Sequence, residues 1–131
     1  MTDTSRIKQD SELVILGLAR IGVLVIDPND GKIWRLAEGN KDGTWKRCRR
    51  RRAEHARSDG YLRIRATVQG VRHQVSAHRV IWMSVHGLIP EGFTIDHVNG
   101  KRNDNRVANL EAVPHAVNVR RAVARRKVGA S

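Results

Sequence analysis

The sequence predicts a small α+β protein. An antiparallel β-rich region and one helix lead into a terminal strand, polar loop, strand and helix. Three observations carry this expectation. Apolar residues alternate with polar ones at Leu62, Ile64, Ala66 and Val68, the period of a half-buried strand. They recur at helical spacing in residues 77–86 and again through Ala116, Val117, Val119, Ala122 and Val123, the period that puts side chains on one helix face. The three prolines, Pro28, Pro90 and Pro114, all fall where those patterns break, so local chemistry and overall pattern agree.

The first ten residues read as a frayed end. Ser11 is expected to cap a short helix through Glu12, Leu13, Val14, Leu16 and Leu18, weakened by Gly17. Residues 21–26 are apolar and β-branched, Asp27-Pro28-Asn29-Asp30-Gly31 supplies turn chemistry, and residues 32–36 resume as a strand, which together read as a hairpin. Residues 39–58 show no period and carry Lys46, Arg47, Arg49, Arg50, Arg51 and Arg52. A basic loop, too charged for a core, is expected there. Gly60 opens the strand of residues 61–68, Gln69-Gly70 turns the chain, and residues 71–76 return as its partner. In the helix of residues 77–86, His78 and Trp82 stand four apart, as do Ile81 and Val85. Gly87 stops that helix and Pro90 blocks its continuation. Residues 93–97 form a short strand, the polar loop runs from Asn99 to Asn105, and residues 110–113 form a second strand. Pro114 then opens the last helix, at the first-turn position that suits proline, before the basic tail Arg125-Arg126-Lys127. Residues 1–59 thus read as an arm of helix, hairpin and basic loop, and residues 60–131 as the unit bearing the candidate site.

Charge narrows the partner. Lys and Arg number 25 against 13 Asp and Glu, for a net charge of +12. Such an excess repels itself unless a polyanion neutralises it, and nucleic acid does so with release of condensed counterions. Charge alone leaves DNA and RNA open, and binder and enzyme. The single cysteine, Cys48, excludes an internal disulfide and a multi-cysteine zinc site. Amid arginines it reads as an incidental residue. The 40% hydrophobic fraction suffices for a modest core. No apolar run approaches the roughly 20 residues that span a bilayer, and the polar, acid-containing start is unlike a secretory signal. A soluble cytoplasmic protein with no membrane partner is expected.

Residues able to do metal and proton chemistry gather in the last third. Asp96 and His97 end one strand, Asn109 precedes the next, and Asn118 lies in the first turns of the final helix. Adjacent strand residues point to opposite faces, so one of Asp96 and His97 can ligate while the other faces a substrate. Hydrolysing a phosphodiester needs a base for the attacking water, which a neutral histidine suits. It also needs positive charge on the phosphorus oxygens and the departing 3′ oxygen, which a hard cation supplies. The oxygens of Asp96 and Asn118 favour Mg²⁺, then Mn²⁺, over zinc.

The stretch Ala77-His78-Arg79-Val80-Ile81-Trp82, followed by Gly87, Pro90, Ile95-Asp96-His97-Val98-Asn99-Gly100, Asn103-Asp104-Asn105-Arg106, Asn109-Leu110-Glu111 and Asn118, resembles the phage and intron-encoded HNH endonucleases of the homing type. The resemblance covers roughly residues 60–122, with a weaker one at residues 27–34. It implies two strands and a helix around one metal, the ββα-metal finger. It also implies His97 as general base, Asp96 and Asn118 as metal ligands, and Asn109 as the catalytic-site asparagine that braces the loop and orients the histidine. Asparagine at position 118, where colicin-like members have histidine, argues further against zinc. Implied too are double-stranded DNA as substrate, 5′-phosphate and 3′-hydroxyl products, a bacterial or phage setting, and a monomer that nicks or a homodimer.

His115 lies one turn ahead of Asn118, where it could sit near the metal behind its ligands or contact a phosphate. His78 and Trp82 read as packing residues, and Trp34 and Trp45 as core or as platforms for bases. Backbone phosphates are expected at Lys46, Arg47, Arg49, Arg50, Arg51, Arg52, Lys101, Arg102, Arg120, Arg121, Arg125 and Arg126. The rival readings are a catalytically silent DNA-binding protein of the same fold and a basic RNA-binding protein, for which no aromatic RNA-binding motif is visible.

Overall fold

Helix α1 (Thr4–Arg20) lays one face on the core. Glu12, Ile15 and Leu18 recur three apart and are all buried, because such positions are neighbours on a helix surface. The computed structural model describes the backbone of residues 4–129 and the side chains of residues 9–121, Val123, Ala124 and Arg126. The helix therefore starts ahead of Ser11, which is not its cap. Ser11 Oγ instead meets His73 Nδ1 at 3.1 Å.

Strands β1 (Leu24–Asp27), β2 (Lys32–Gly39) and β3 (Trp45–Arg52) form an antiparallel sheet in that order. The β1–β2 hairpin is as expected, with Asp27 paired to Lys32. Its turn is shaped by Asp30 N–H donating to Asp27 Oδ1 at 3.1 Å. Strand β3 corrects the sequence reading, which places a basic loop here. Gly39 pairs with Trp45, Ala37 with Arg47 and Arg35 with Arg51. The burial of β3 does not alternate: Trp45 and Cys48, three apart, are the half-buried residues, and the register with β2 shifts between Arg35 and Ala37. Cross-strand partners hold it: Arg51 pairs with Glu38 on β2, and Arg50 lies 4.2 Å from the Trp34 ring centroid.

Strands β4 (Glu54–Ala56), β5 (Leu62–Val68) and β6 (Val71–Ser76) make a second antiparallel sheet. Along β5, Ile64 and Ala66 point inward while Arg65 and Thr67 are exposed. Strand β4 also falls within the segment expected as loop, and residues 59 and 60 lie in the turn joining it to β5. Helix α2 (Ala77–His86) follows directly, burying Ala77, His78, Val80, Ile81 and Met83. Gly87, at φ 89°, ends it by donating its N–H to the Met83 carbonyl. Helices α1 and α2 are joined by a buried ion pair in which Arg79 grips both carboxylate oxygens of Glu12 at 3.0–3.1 Å.

The last unit is β7 (Phe93–His97), a short 3-10 turn (Val107–Asn109), β8 (Leu110–Pro114) and α3 (His115–Gly129). Strands β7 and β8 pair antiparallel, Asp96 opposite Glu111 and His97 opposite Leu110. Pro114 closes β8 opposite Phe93 rather than opening the helix, a terminal pairing position where a missing N–H is tolerated. Helix α3 continues through the backbone of the expected basic tail. Ile15, Leu24, Ile33, Ile64 and Ile81, from the first two of the three sheets and both early helices, are fully buried in one cluster. No described helix is long and apolar enough to cross a membrane.

Candidate functional site

Strand β7 ends in a cleft of about 550 Å³ lined by Tyr61, Asp96, His97, Gly100, Arg102, Asn118 and Arg126. Three of the residues singled out from sequence thus come together: the acid and imidazole from the strand end and the amide from α3. Asp96 is 5% exposed and His97 4%. The strand alternation still governs what each meets. Asp96 turns toward α3, where Arg121 Nη1 stands 3.1 Å from its Oδ2. His97 turns toward the loop and α2, with its ring centroid 4.9 Å from that of His78 and 5.9 Å from that of Tyr61. The cleft runs across the strand end and so receives both. His78, read as a packing residue, is buried with its ring between those of Tyr61 and His97, and the Trp82 ring lies 4.8 Å from that of His86.

The loop between β7 and β8 is held from inside. Asn109, 6% exposed, accepts the Asn99 N–H on its Oδ1 at 3.0 Å. Its Nδ2 donates to Asn99 Oδ1 and to the Asp104 carbonyl, each at 2.9 Å. The group on the imidazole is another one: Asn105 Oδ1 lies 2.8 Å from His97 Nε2. The sequence shows no sign of a role for Asn105, since nothing local separates it from exposed Asn103. At the loop's outer side Arg106 grips both oxygens of Asp104 at 2.8 and 2.9 Å. That guanidinium, helped by Asn99, holds the Asp104 carboxyl well below the usual carboxylate range. His115 is exposed at the start of α3 and does not line the cleft. Its backbone N–H donates to the Gly92 carbonyl at 3.1 Å.

The side chains expected on backbone phosphates divide into groups. Arg102 and Arg126 line the cleft, Arg102 with its guanidinium 4.9 Å from the Tyr61 ring centroid. Lys46, Arg47, Arg49 and Arg50 are exposed along β3, as are Lys101 in the loop and Arg120 on α3. Arg51 and Arg52 are bound to Glu38 and Glu54. Arg121 bridges Asp96 and Glu111, so its first partners are carboxylates of the site itself. The side chain of Arg125 lies outside the described residues. Trp34, left between core and platform by the sequence, carries Arg50 and Arg52 over its ring at 4.2 and 5.7 Å. Trp45 packs against the core and over Gly39.

Comparison with known proteins adds three findings. Residues 75–120 match the model of the HNH endonuclease family. An uncharacterized gene 5.3 protein of Enterobacteria phage T3 is 34% identical over 58 residues, which are 43% of this chain and 57% of that protein. The HNH homing endonuclease I-HmuI, solved in a study of its DNA binding and cleavage, superposes with a TM-score of 0.55 at 24% identity. That match covers 79% of this chain and 53% of the endonuclease, so the chain spans a little over half the length of each protein it matches. Residues 75–120 are thus similar to the HNH endonuclease family, and the α+β fold built around them is similar to that of an HNH homing endonuclease.

Proposed function

We propose that the protein is a metal-dependent endonuclease that hydrolyses phosphodiester bonds of double-stranded DNA. One observation carries the reading: Asp96, His97 and Asn118, from two different elements, line one cleft with two arginines at its rim. The donor set suits a hard cation. No described cluster of three His, Cys, Asp or Glu side chains could hold a metal, which disfavours zinc. A carboxylate and an amide oxygen, with water and phosphate completing the shell, match how Mg²⁺ is usually held, and Mn²⁺ accepts the same ligands. Asp96 and Asn118 are the holders. When bound, such a cation supplies positive charge to the phosphate and leaving oxygens.

The chain's own groups do the rest. His97, buried on three sides by Asn105, His78 and Tyr61, takes a proton from water in line with the scissile bond. Arg102 and Arg126 draw the phosphate into the cleft and neutralise it there. Lys46, Arg47, Arg49 and Arg50 on β3 hold the flanking backbone, with Lys101 and Arg120 beside the site. Residues 1–59 act in this reading as the DNA-binding arm. Each cleft cuts one strand.

A binding-only protein has one observation in its favour, since Arg121 lies on the carboxylate that must take the metal. Supercoiled plasmid incubated with Mg²⁺ separates the readings. Wild-type protein is expected to yield relaxed circles, and His97→Ala to yield them about 10²-fold more slowly or worse. Wild-type protein indistinguishable from His97→Ala with both Mg²⁺ and Mn²⁺ would end the enzymatic reading.

A further inference from the structure

The residue on His97 is not placed by its own bonds. Asn105 is 1% exposed although Asn103 and Arg106 on either side are exposed. It uses Oδ1 on the imidazole, while its Nδ2 is buried without a hydrogen-bond partner among the described residues. An amide left half-satisfied in the interior does not seek that position for itself. Its backbone is put there by two clamps. On one side Asn109 Nδ2 holds the Asp104 carbonyl at 2.9 Å. On the other, Val107 N–H donates to the carbonyl of Pro28 at 2.8 Å, and Pro28 belongs to the β1–β2 turn. Gly31, in the same turn and at φ 68°, lies flat against the loop. A Cβ there would stand 2.9 Å from Arg106 Cα and closer still to Arg106 N and the Asn105 carbonyl carbon. Only glycine lets the two backbones approach so closely.

We infer that the β1–β2 turn, through Gly31 and the Pro28 carbonyl, is a positioning element of the active site: it sets Asn105 so that its Oδ1 receives the Nε2 proton of His97. This rests on the reading of His97 as general base. A carbonyl oxygen only accepts, so the contact fixes the Nε2–H tautomer and puts the basic lone pair on Nδ1. The turn, remote in sequence from the matched family segment, thereby contributes to the rate.

The test reads the tautomer directly by ¹⁵N NMR of histidine-labelled full-length protein, with His97 assigned by the loss of its signals in His97→Gln. Wild type is expected to carry the proton on Nε2, and Asn105→Asp, which keeps the acceptor, to retain it. Asn105→Leu and Gly31→Ala are expected to lose that preference. They should lower kcat for plasmid nicking about ten-fold or more with KM within about two-fold. An Nδ1–H tautomer in the wild type would overturn the inference, as would Gly31→Ala with wild-type tautomer and kcat. Should Gly31→Ala not fold, Asp27→Ala decides the point, since it removes the bond that shapes the turn and adds no atom. An unchanged tautomer and rate there would remove the hairpin's role. The NMR reading needs no activity, so an Nε2–H tautomer in a protein that never nicks DNA would sink the nuclease reading and leave this one standing.

Discussion

Strand β3 and the loop between β7 and β8 are both polar and lack an apolar period, but they spend their polar groups in opposite ways. Strand β3 keeps Lys46, Arg47, Arg49 and Arg50 exposed and pairs only its last arginines, with Glu38 and Glu54. The loop buries Asn105 and Asn109 and bonds them to His97 and to its own backbone. Exposed charge in water is weakly directional and screened by salt, which suits gripping any phosphate backbone. Buried amides hold one geometry, because losing a partner leaves a costly unsatisfied group, and one geometry is what proton transfer needs. In the proposed function, grip falls to one region and chemistry to the other.

The sharpest way to break that division is to damage each side alone. Asp96→Ala is expected to lower the cleavage rate at saturating DNA by about 10²–10³-fold while leaving DNA affinity within about two-fold. Arg47→Ala combined with Arg49→Ala should do the reverse. Affinity falls, and the slope of log K against log salt becomes shallower by about 0.9 for each phosphate no longer neutralised. The single-turnover rate at saturating DNA stays near wild type. A double arginine variant that loses rate at saturation, with unchanged salt dependence, would erase the distinction.

Glu12 sharpens it from another direction, being a buried charge that serves only the scaffold. Glu12→Ala leaves Arg79, 12% exposed, without its carboxylate. The expected cost is about 3 kcal/mol, or roughly a 10 °C drop in Tm for a chain of this size, with kcat unchanged below the transition. The smallest effect belongs to Asp104, whose carboxyl Arg106 and Asn99 hold below its ordinary range. A carboxylate pKa depressed by folding contributes stability that is complete above the unfolded pKa of about 3.9. It is lost as pH falls through the lower, folded value. Denaturant melts of wild type and Asp104→Asn should therefore differ by a constant small amount from pH 7 to about pH 5, and converge in more acid solution.

What is legible in the sequence is what short-range patterns determine. The alternation along β5, the glycine end of α2 and the ββα unit lie within a few residues of their expected positions. The trio at positions 96, 97 and 118 meets in one cleft. The rest depends on residues far apart in the chain. Strand β3 shows no alternation of burial along its arginines, and only its pairing with β2 makes it a strand. Asn105 is buried where Asn103 is exposed, and its backbone has Gly31 against it, a neighbour from a distant hairpin that no local pattern reveals. Glu12 is readable in part, as an acid in step with Ile15 and Leu18, but its partner on α2 is not.

In the proposed function a strand-end carboxylate and a helix amide share one cation beside the imidazole. Crystals of the full chain soaked in Mn²⁺ and measured at the manganese edge test it most directly. A single anomalous peak between the oxygens of Asp96 and Asn118, absent from Asp96→Ala crystals, is the expected result. No peak in the cleft, or one that persists without Asp96, would contradict it.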